Sequence, residues 1–243
     1  MKENITLYQT KSSIVNDAFG RTVFNLCMHR ERHNYKVFAL CGSAPGVGTT
    51  TVSIDLSILL SEIGWKTLLL DGDLRKSSRY KRLNDSHNLD VGLADYIIGT
   101  HEKEDIIHQT NWKNLYYISA GQADINHPLQ ALASSKMSNF FTALAEDFDC
   151  VIVDTPSLSA AVDSKFYAMR ADAAIIVAAM DGSLKKHLEE TYSQLAVSNA
   201  NVIGVIETKV SLEEFKLYSK DFDYFTKMTT SPRYRERKKG GVR

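Results

Sequence analysis

Short apolar runs recur along the chain at 37–41, 67–70, 115–118, 151–153, 173–177 and 202–206. They are rich in valine, isoleucine and leucine and lack polar alternation, which predicts strands covered on both faces, hence a parallel sheet. Between them, apolar residues return every three to four positions, predicting helices over 50–63, 92–98, 127–148 (with a break) and 184–197. A further helix is expected around 14–28, ahead of the first strand. Strand and helix alternate, so the expected fold class is α/β, doubly wound around a mainly parallel sheet. Three segments follow: an N-terminal arm with its helix at 1–34, the α/β domain at 35–210, and a C-terminal segment at 211–243. The last is polar and aromatic and ends in a basic stretch, Arg233-Tyr234-Arg235-Glu236-Arg237-Lys238-Lys239. That end reads either as a solvated tail or as a contact for anionic lipid or an acidic partner.

Composition narrows this picture in three ways. The 243 residues suffice for one well-buried core. Lysine plus arginine equals aspartate plus glutamate, 29 each, so no global charge draws the chain to nucleic acid. The start, Met1-Lys2-Glu3-Asn4, opens no apolar leader, and the longest apolar stretch, 173–180, is far too short to span a bilayer. A cytoplasmic location is the expectation. Cys27, Cys41 and Cys150 lack metal-ligand spacing and read as structural thiols, and the seven histidines show no ligand-like pairing. Tyr116 and Tyr117, inside an expected strand, read as core packing.

Between the first strand and its helix stands Ser43-Ala44-Pro45-Gly46-Val47-Gly48-Thr49-Thr50-Thr51. Strand, glycine-rich turn and helix is the setting of a phosphate-binding loop. Glycines let the backbone turn its N–H groups toward phosphate oxygens, and the helix N-terminus adds partial positive charge. Such loops end in Gly-Lys-Ser/Thr, but here Gly48 is followed by Thr49 and Thr50. The anion nest and a magnesium-binding hydroxyl, Thr50, remain; the lysine charge does not.

Two further strands run into carboxylates, one into Asp71-Gly72-Asp73-Leu74-Arg75 and the other into Asp154-Thr155-Pro156. Ligands of open parallel sheets bind beyond the carboxyl ends of the strands, where all three aspartates fall. Carboxylates there can hold magnesium directly or through water. A lone aspartate after a strand is commonly a turn residue, and it is the conjunction with the glycine loop that points to a nucleotide–magnesium site.

With these motifs in order, the chain resembles the cytoplasmic ATPase domain of the bacterial tyrosine kinases of capsular and exopolysaccharide synthesis, relatives of the division-site and partition ATPases. The likeness covers roughly 13–210. Ser43-x-Pro45-Gly46-x-Gly48 looks like their Walker A loop, Asp71-x-Asp73-x-Arg75 like their Walker A′ motif and Asp154-Thr155-Pro156 like their Walker B. Gly92-Leu93-x-Asp95-Tyr96 and Ser119-Ala120-Gly121 add to it. The resemblance implies a P-loop NTPase fold of the deviant-Walker type, ATP or ADP with Mg2+ as cofactors, and residues 43 to 51 with Thr208 around the nucleotide. It implies Thr50, Asp73 and Asp154 at the metal. Asp71 would be either the base toward a tyrosine hydroxyl or a third metal-holding acid. The implied partner is a membrane-embedded activator of the polysaccharide chain-length or co-polymerase type, with homo-oligomer formation and a peripheral position at the inner membrane face.

The chain also departs from the pattern. Thr49 stands at the lysine place, Ala44 where partition relatives carry another lysine, and Thr208, beside Glu207, where an asparagine contacts adenine. Gly20 and Val23 occupy two arginine places of the oligomerisation motif, with Arg21 one position off. Tyr218, Tyr224 and Tyr234 are spread out where a dense cluster is usual. The expected function is therefore a regulatory pseudokinase with weakened nucleotide chemistry. An active tyrosine autokinase is the alternative, and a spatial-positioning ATPase the third reading.

Overall fold

The computed structural model of the chain describes residues 5–10, 13–75, 83–84, 91–122, 125, 128–181, 184–211 and 213–215. Its first elements are β1 (Thr6–Leu7), α1 (Ser13–His33), β2 (Val37–Gly42), α2 (Thr49–Glu62), β3 (Thr67–Asp71) and β4 (Leu83–Asn84). Next come α3 (Leu93–Ile98), α4 (Lys103–Ile106), β5 (His108–Gln109), β6 (Leu115–Ile118), α5 (Pro128–Ala133) and α6 (Ser135–Asp147). The remainder is β7 (Cys150–Asp154), α7 (Asp163–Arg170), β8 (Ala173–Ala179), α8 (Leu184–Val197) and β9 (Val202–Thr208). Tyr218, Tyr224, Tyr234 and the basic stretch lie outside the described residues.

The main sheet has the order β5-β6-β3-β7-β2-β8-β9 and is parallel except for the β5–β6 pair. Every residue of β2, β3, β7 and β8 is buried, which accounts for their unbroken apolar runs. Residue parity decides which core each side chain joins. Phe38, Leu40, Leu69, Ile152 and Ile175 pack with α1 and α2 on one face. Val37, Ala39, Leu68, Leu70, Val151 and Ile176 pack on the other face with Phe140 and Leu144 of α6, Tyr167 of α7 and Leu195 of α8. Helices therefore cover both faces, as a doubly wound fold requires.

The helix expected over 127–148 divides at Ser134, whose extended backbone ends α5 and whose hydroxyl accepts from the Met137 N–H to start α6. Helices α4 and α7 and the two-residue strands β1, β4 and β5 are too short for periodicity to reveal. Cys41 and Cys150 are core thiols that burial makes harder to ionise, Cys41 being pushed up to about 12. Tyr117 is fully buried in the core on the α1–α2 face, and Tyr116 is partly buried against the core of the other face. His29 and His33, one turn apart on α1, lie with ring centroids 5.9 Å apart and Tyr35 against both.

Candidate functional site

Strand order brings the motifs together. β7 lies between β2 and β3, so the glycine loop after β2, the acids after β3 and Asp154 at the end of β7 meet at neighbouring strand ends. Asp71 is the register partner of Asp154, and Asp154 that of Leu40. All three share the parity of the residues packed under α2, so both carboxylates point to the face from which α2 rises.

The loop itself has the backbone of an anion nest. Gly46 and Gly48 have φ of +74° and +100°, a left-handed region that glycine enters without strain. Gly48 is the residue preceding α2, so the loop leads straight into the N-terminus of that helix. Val47 is buried beneath the loop, and Ser43 is buried where its N–H donates to the Val177 carbonyl. Ala44, Pro45, Gly46, Gly48, Thr49, Thr50 and Thr51 line one wall of a cavity of about 480 Å³. Asp71, Asp73, Arg75 and Asp154 line it as well, together with the Thr155–Ser157 turn and Ala160 and Ala161.

Thr50 donates its hydroxyl to Asp154 Oδ2 at 2.6 Å, and Ser53, one turn on, donates to Asp154 Oδ1 at 3.1 Å. The Thr50 oxygen keeps lone pairs for a metal while its proton is held by Asp154. Ser53 carries no motif signal; only its place on the inner face of α2 could have marked it. Asp71 is fully buried and accepts from the Asp73 N–H at 3.0 Å, which folds the following turn, and Asp73 is half-exposed. Gly72 donates its N–H to the Asp154 carbonyl at 2.8 Å. A Cβ on Gly72 would lie 3.0 Å from that oxygen and 3.0 Å from the Tyr167 ring, so the close approach of the two acidic turns depends on glycine.

The residues fit a magnesium–polyphosphate. Among the described residues, no three acid, histidine or cysteine side chains gather closely enough to hold a metal by themselves. Magnesium suits such a site, since it commonly takes one or two carboxylates and completes its shell with water and substrate phosphates. The hard oxygens of Thr50, Asp73 and Asp154 are the donor type it takes, and the left-handed glycines provide the phosphate cradle.

Four predicted site residues sit differently from the rest: Ser43 and Val47 are buried outside the cavity lining, and Thr49 and Thr208 turn elsewhere. Thr49 lines the cavity, yet its hydroxyl lies over Gly42 at the end of β2, 2.4 Å from where a Cβ on that glycine would be. Thr208 is absent from the described cavity lining; its hydroxyl donates to the Val47 carbonyl at 2.5 Å and lies 3.2 Å from that of Ala178. It fastens the end of β9 to the outside of the glycine loop. Sequence reasoning also missed α7. There Asp163, fully buried, receives Arg75 in a two-pronged ion pair, and Ser164 donates to the Pro156 carbonyl. Tyr167, also fully buried, has its hydroxyl proton held more tightly than usual by burial and by the nearby charges of Asp71, Asp163 and Asp73.

A family described as an AAA domain matches residues 35–191. The tyrosine-protein kinase CpsD of Streptococcus agalactiae serotype Ia is 30% identical over 176 residues, covering 72% of this chain and 75% of that protein. The kinase domain of the Escherichia coli tyrosine kinase ETK superposes with a TM-score of 0.72 at 22% identity, covering 80% of this chain and 77% of that one. The septum site-determining protein MinD of Pyrococcus horikoshii, solved with Mg-ADP, gives a TM-score of 0.57 at 23% identity, over 73% and 72% of the two chains. The fold thus has its counterpart in known proteins, and by sequence the chain belongs to the bacterial tyrosine-kinase family of P-loop ATPases.

Proposed function

We propose that the chain is a magnesium-nucleotide-binding regulatory module of capsular or exopolysaccharide synthesis, a pseudokinase whose phosphoryl chemistry is weakened. The observation that carries this reading is Thr49, an uncharged side chain turned over Gly42 at the lysine place of an otherwise complete phosphate loop. A charge-assisted hydrogen bond to phosphate contributes about 1.5–3 kcal/mol to binding. Its absence weakens nucleotide affinity roughly ten- to a hundredfold, while backbone amides and the metal still hold the phosphates. In the transition state a preorganised donor is worth about 2.7–4 kcal/mol, so transfer suffers more than binding. Bound magnesium supplies electrostatic neutralisation of the phosphates. Thr50, Asp73 and Asp154 orient it, and Asp71, register partner of Asp154, stands at the place of a base or of a further metal-holding acid. The proposed partner is a membrane-embedded polysaccharide co-polymerase of the chain-length type, with the chain at the cytoplasmic face. No helix among the described residues is long and apolar enough to cross a membrane.

The intact acidic set favours a second reading, an active tyrosine autokinase using Tyr218, Tyr224 or Tyr234. Calorimetry of Mg-ATP against the wild type and Thr49→Lys separates the two. The pseudokinase reading expects Thr49→Lys to bind roughly ten to a hundred times more tightly. A folded Thr49→Lys protein of unchanged affinity overturns it, and phosphotyrosine on wild-type chain incubated with Mg-ATP establishes the autokinase.

A further inference from the structure

We infer that Arg75 is the cation that meets the terminal phosphate of a bound nucleoside triphosphate, standing in at this site for the charge that Thr49 does not bring. The inference rests on the nucleotide reading above and names the residue that makes the site selective for a triphosphate. Among the described residues lining the cavity there are three carboxylates, Asp71, Asp73 and Asp154, and one cation, Arg75. The lining is therefore formally negative, as suits a divalent metal. Nothing else in that lining then offers a full positive charge to a phosphate beyond the metal's reach.

Arg75 is built for the task in a way a surface arginine is not. Its Nε and Nη2 donate to Asp163 Oδ2 and Oδ1 at 2.7 and 2.9 Å. The Asp163 side chain is 0% exposed, whereas that of Arg75 is 49% exposed, so the anchor is fixed and the guanidinium stands at the cavity. Side-on pairing occupies two of the five guanidinium N–H bonds and leaves three for a second acceptor. The anchor is itself braced, because Ser164 bonds the Pro156 carbonyl and Tyr167 packs against Gly72. A planar fork already held in one orientation loses little freedom when a phosphate arrives.

A glycine loop cradles the inner phosphates at the N-terminus of its helix. Arg75 lines the same cavity on the acidic wall, after Asp71 and Asp73, so on this inference the outermost phosphate of a triphosphate would be the one to meet it and a diphosphate would lack that contact. Were Arg75 only a brace between the acidic turn and α7, ATP and ADP would depend on it alike.

Titration calorimetry of the full chain with Mg-ATP and Mg-ADP separates these roles. The variants are Arg75→Ala, the double variant Arg75→Ala/Asp163→Asn, which avoids an unpaired buried carboxylate, and each combined with Thr49→Lys. Removing Arg75 is expected to weaken ATP roughly ten- to a hundredfold and ADP no more than about threefold, and Thr49→Lys to restore ATP. Equal loss for both nucleotides, no rescue by Thr49→Lys, or unfolding of both Arg75 variants makes Arg75 a brace and overturns the inference. Wild-type chain that binds neither nucleotide overturns the function reading itself, and this inference with it.

Discussion

Asp71 and Asp154 stand side by side because their strands are in register, and Gly72 lets the turn after Asp71 settle onto β7. The neighbours of a Gly72 side chain would be the Asp154 carbonyl and the buried Tyr167 ring, neither of which yields easily. Gly72→Ala is therefore expected to destabilise the fold by about 1–3 kcal/mol, the cost of overpacking. It should also weaken magnesium-dependent nucleotide binding by parting the two acidic turns. Urea unfolding and calorimetry check the two effects, and wild-type values in both would contradict this account of the contact. The acids themselves were readable in the sequence, because a carboxylate closing an apolar run in a parallel sheet falls at the ligand-binding edge. Ser53 and Asp163 were not. Each works through a partner about a hundred residues away in the chain, and neither spacing nor composition records such a pairing.

Among elements, the N-terminal strand is fastened to the helix that begins at the phosphate loop. Leu7 receives the Trp112 indole N–H at its carbonyl and donates its own N–H to Asn111. Thr10 then gives both its N–H and its hydroxyl to Asp55, a buried carboxylate in the middle of α2, at 2.9 and 2.6 Å. Thr10→Val keeps the shape and removes the hydroxyl donor to that carboxylate. It is expected to cost about 1.5–3 kcal/mol, the range for a hydrogen bond to a charged group, measured by thermal or urea unfolding. A loss below a few tenths would mean that Asp55 is satisfied without the strap. The sequence disclosed the long elements well, since unbroken apolar runs and three-to-four periodicity need five or more residues to show. It did not disclose that β7 inserts between β2 and β3, because strand order is set by packing among segments distant in the chain. Nor did it disclose α7, eight residues whose inward side carries Asp163, Ser164 and Tyr167.

For the molecule as a whole, the end of the sheet opposite the glycine loop carries its own electrostatic tie. Arg30 of α1 donates to the Asp149 carbonyl and carboxylate, both at 2.7 Å, and lies over the Trp65 ring at 4.6 Å, while Asp149 also accepts from the Lys66 N–H. The Arg30 hydrogen bond, with smaller help from Lys66, holds the Asp149 carboxyl below its ordinary value. A carboxylate with a lowered native pKa stabilises above its unfolded pKa, and that contribution is lost as pH falls through the native value. With the two side chains 26% and 41% exposed, solvent limits the pair to about 0.5–1 kcal/mol. Asp149→Asn should therefore lower stability at neutral pH, and the difference should fade as acid protonates the native carboxylate. Denaturation followed from neutral pH into acid tests the sign. A difference that persists in acid would assign the effect to packing.

The hydroxyl of Thr208 has one more consequence. It moors the last strand of the sheet to Val47, and β9 is the outermost strand, with much of its surface open to solvent. Whatever packs against that rim therefore lies one hydrogen bond from the backbone of the glycine loop.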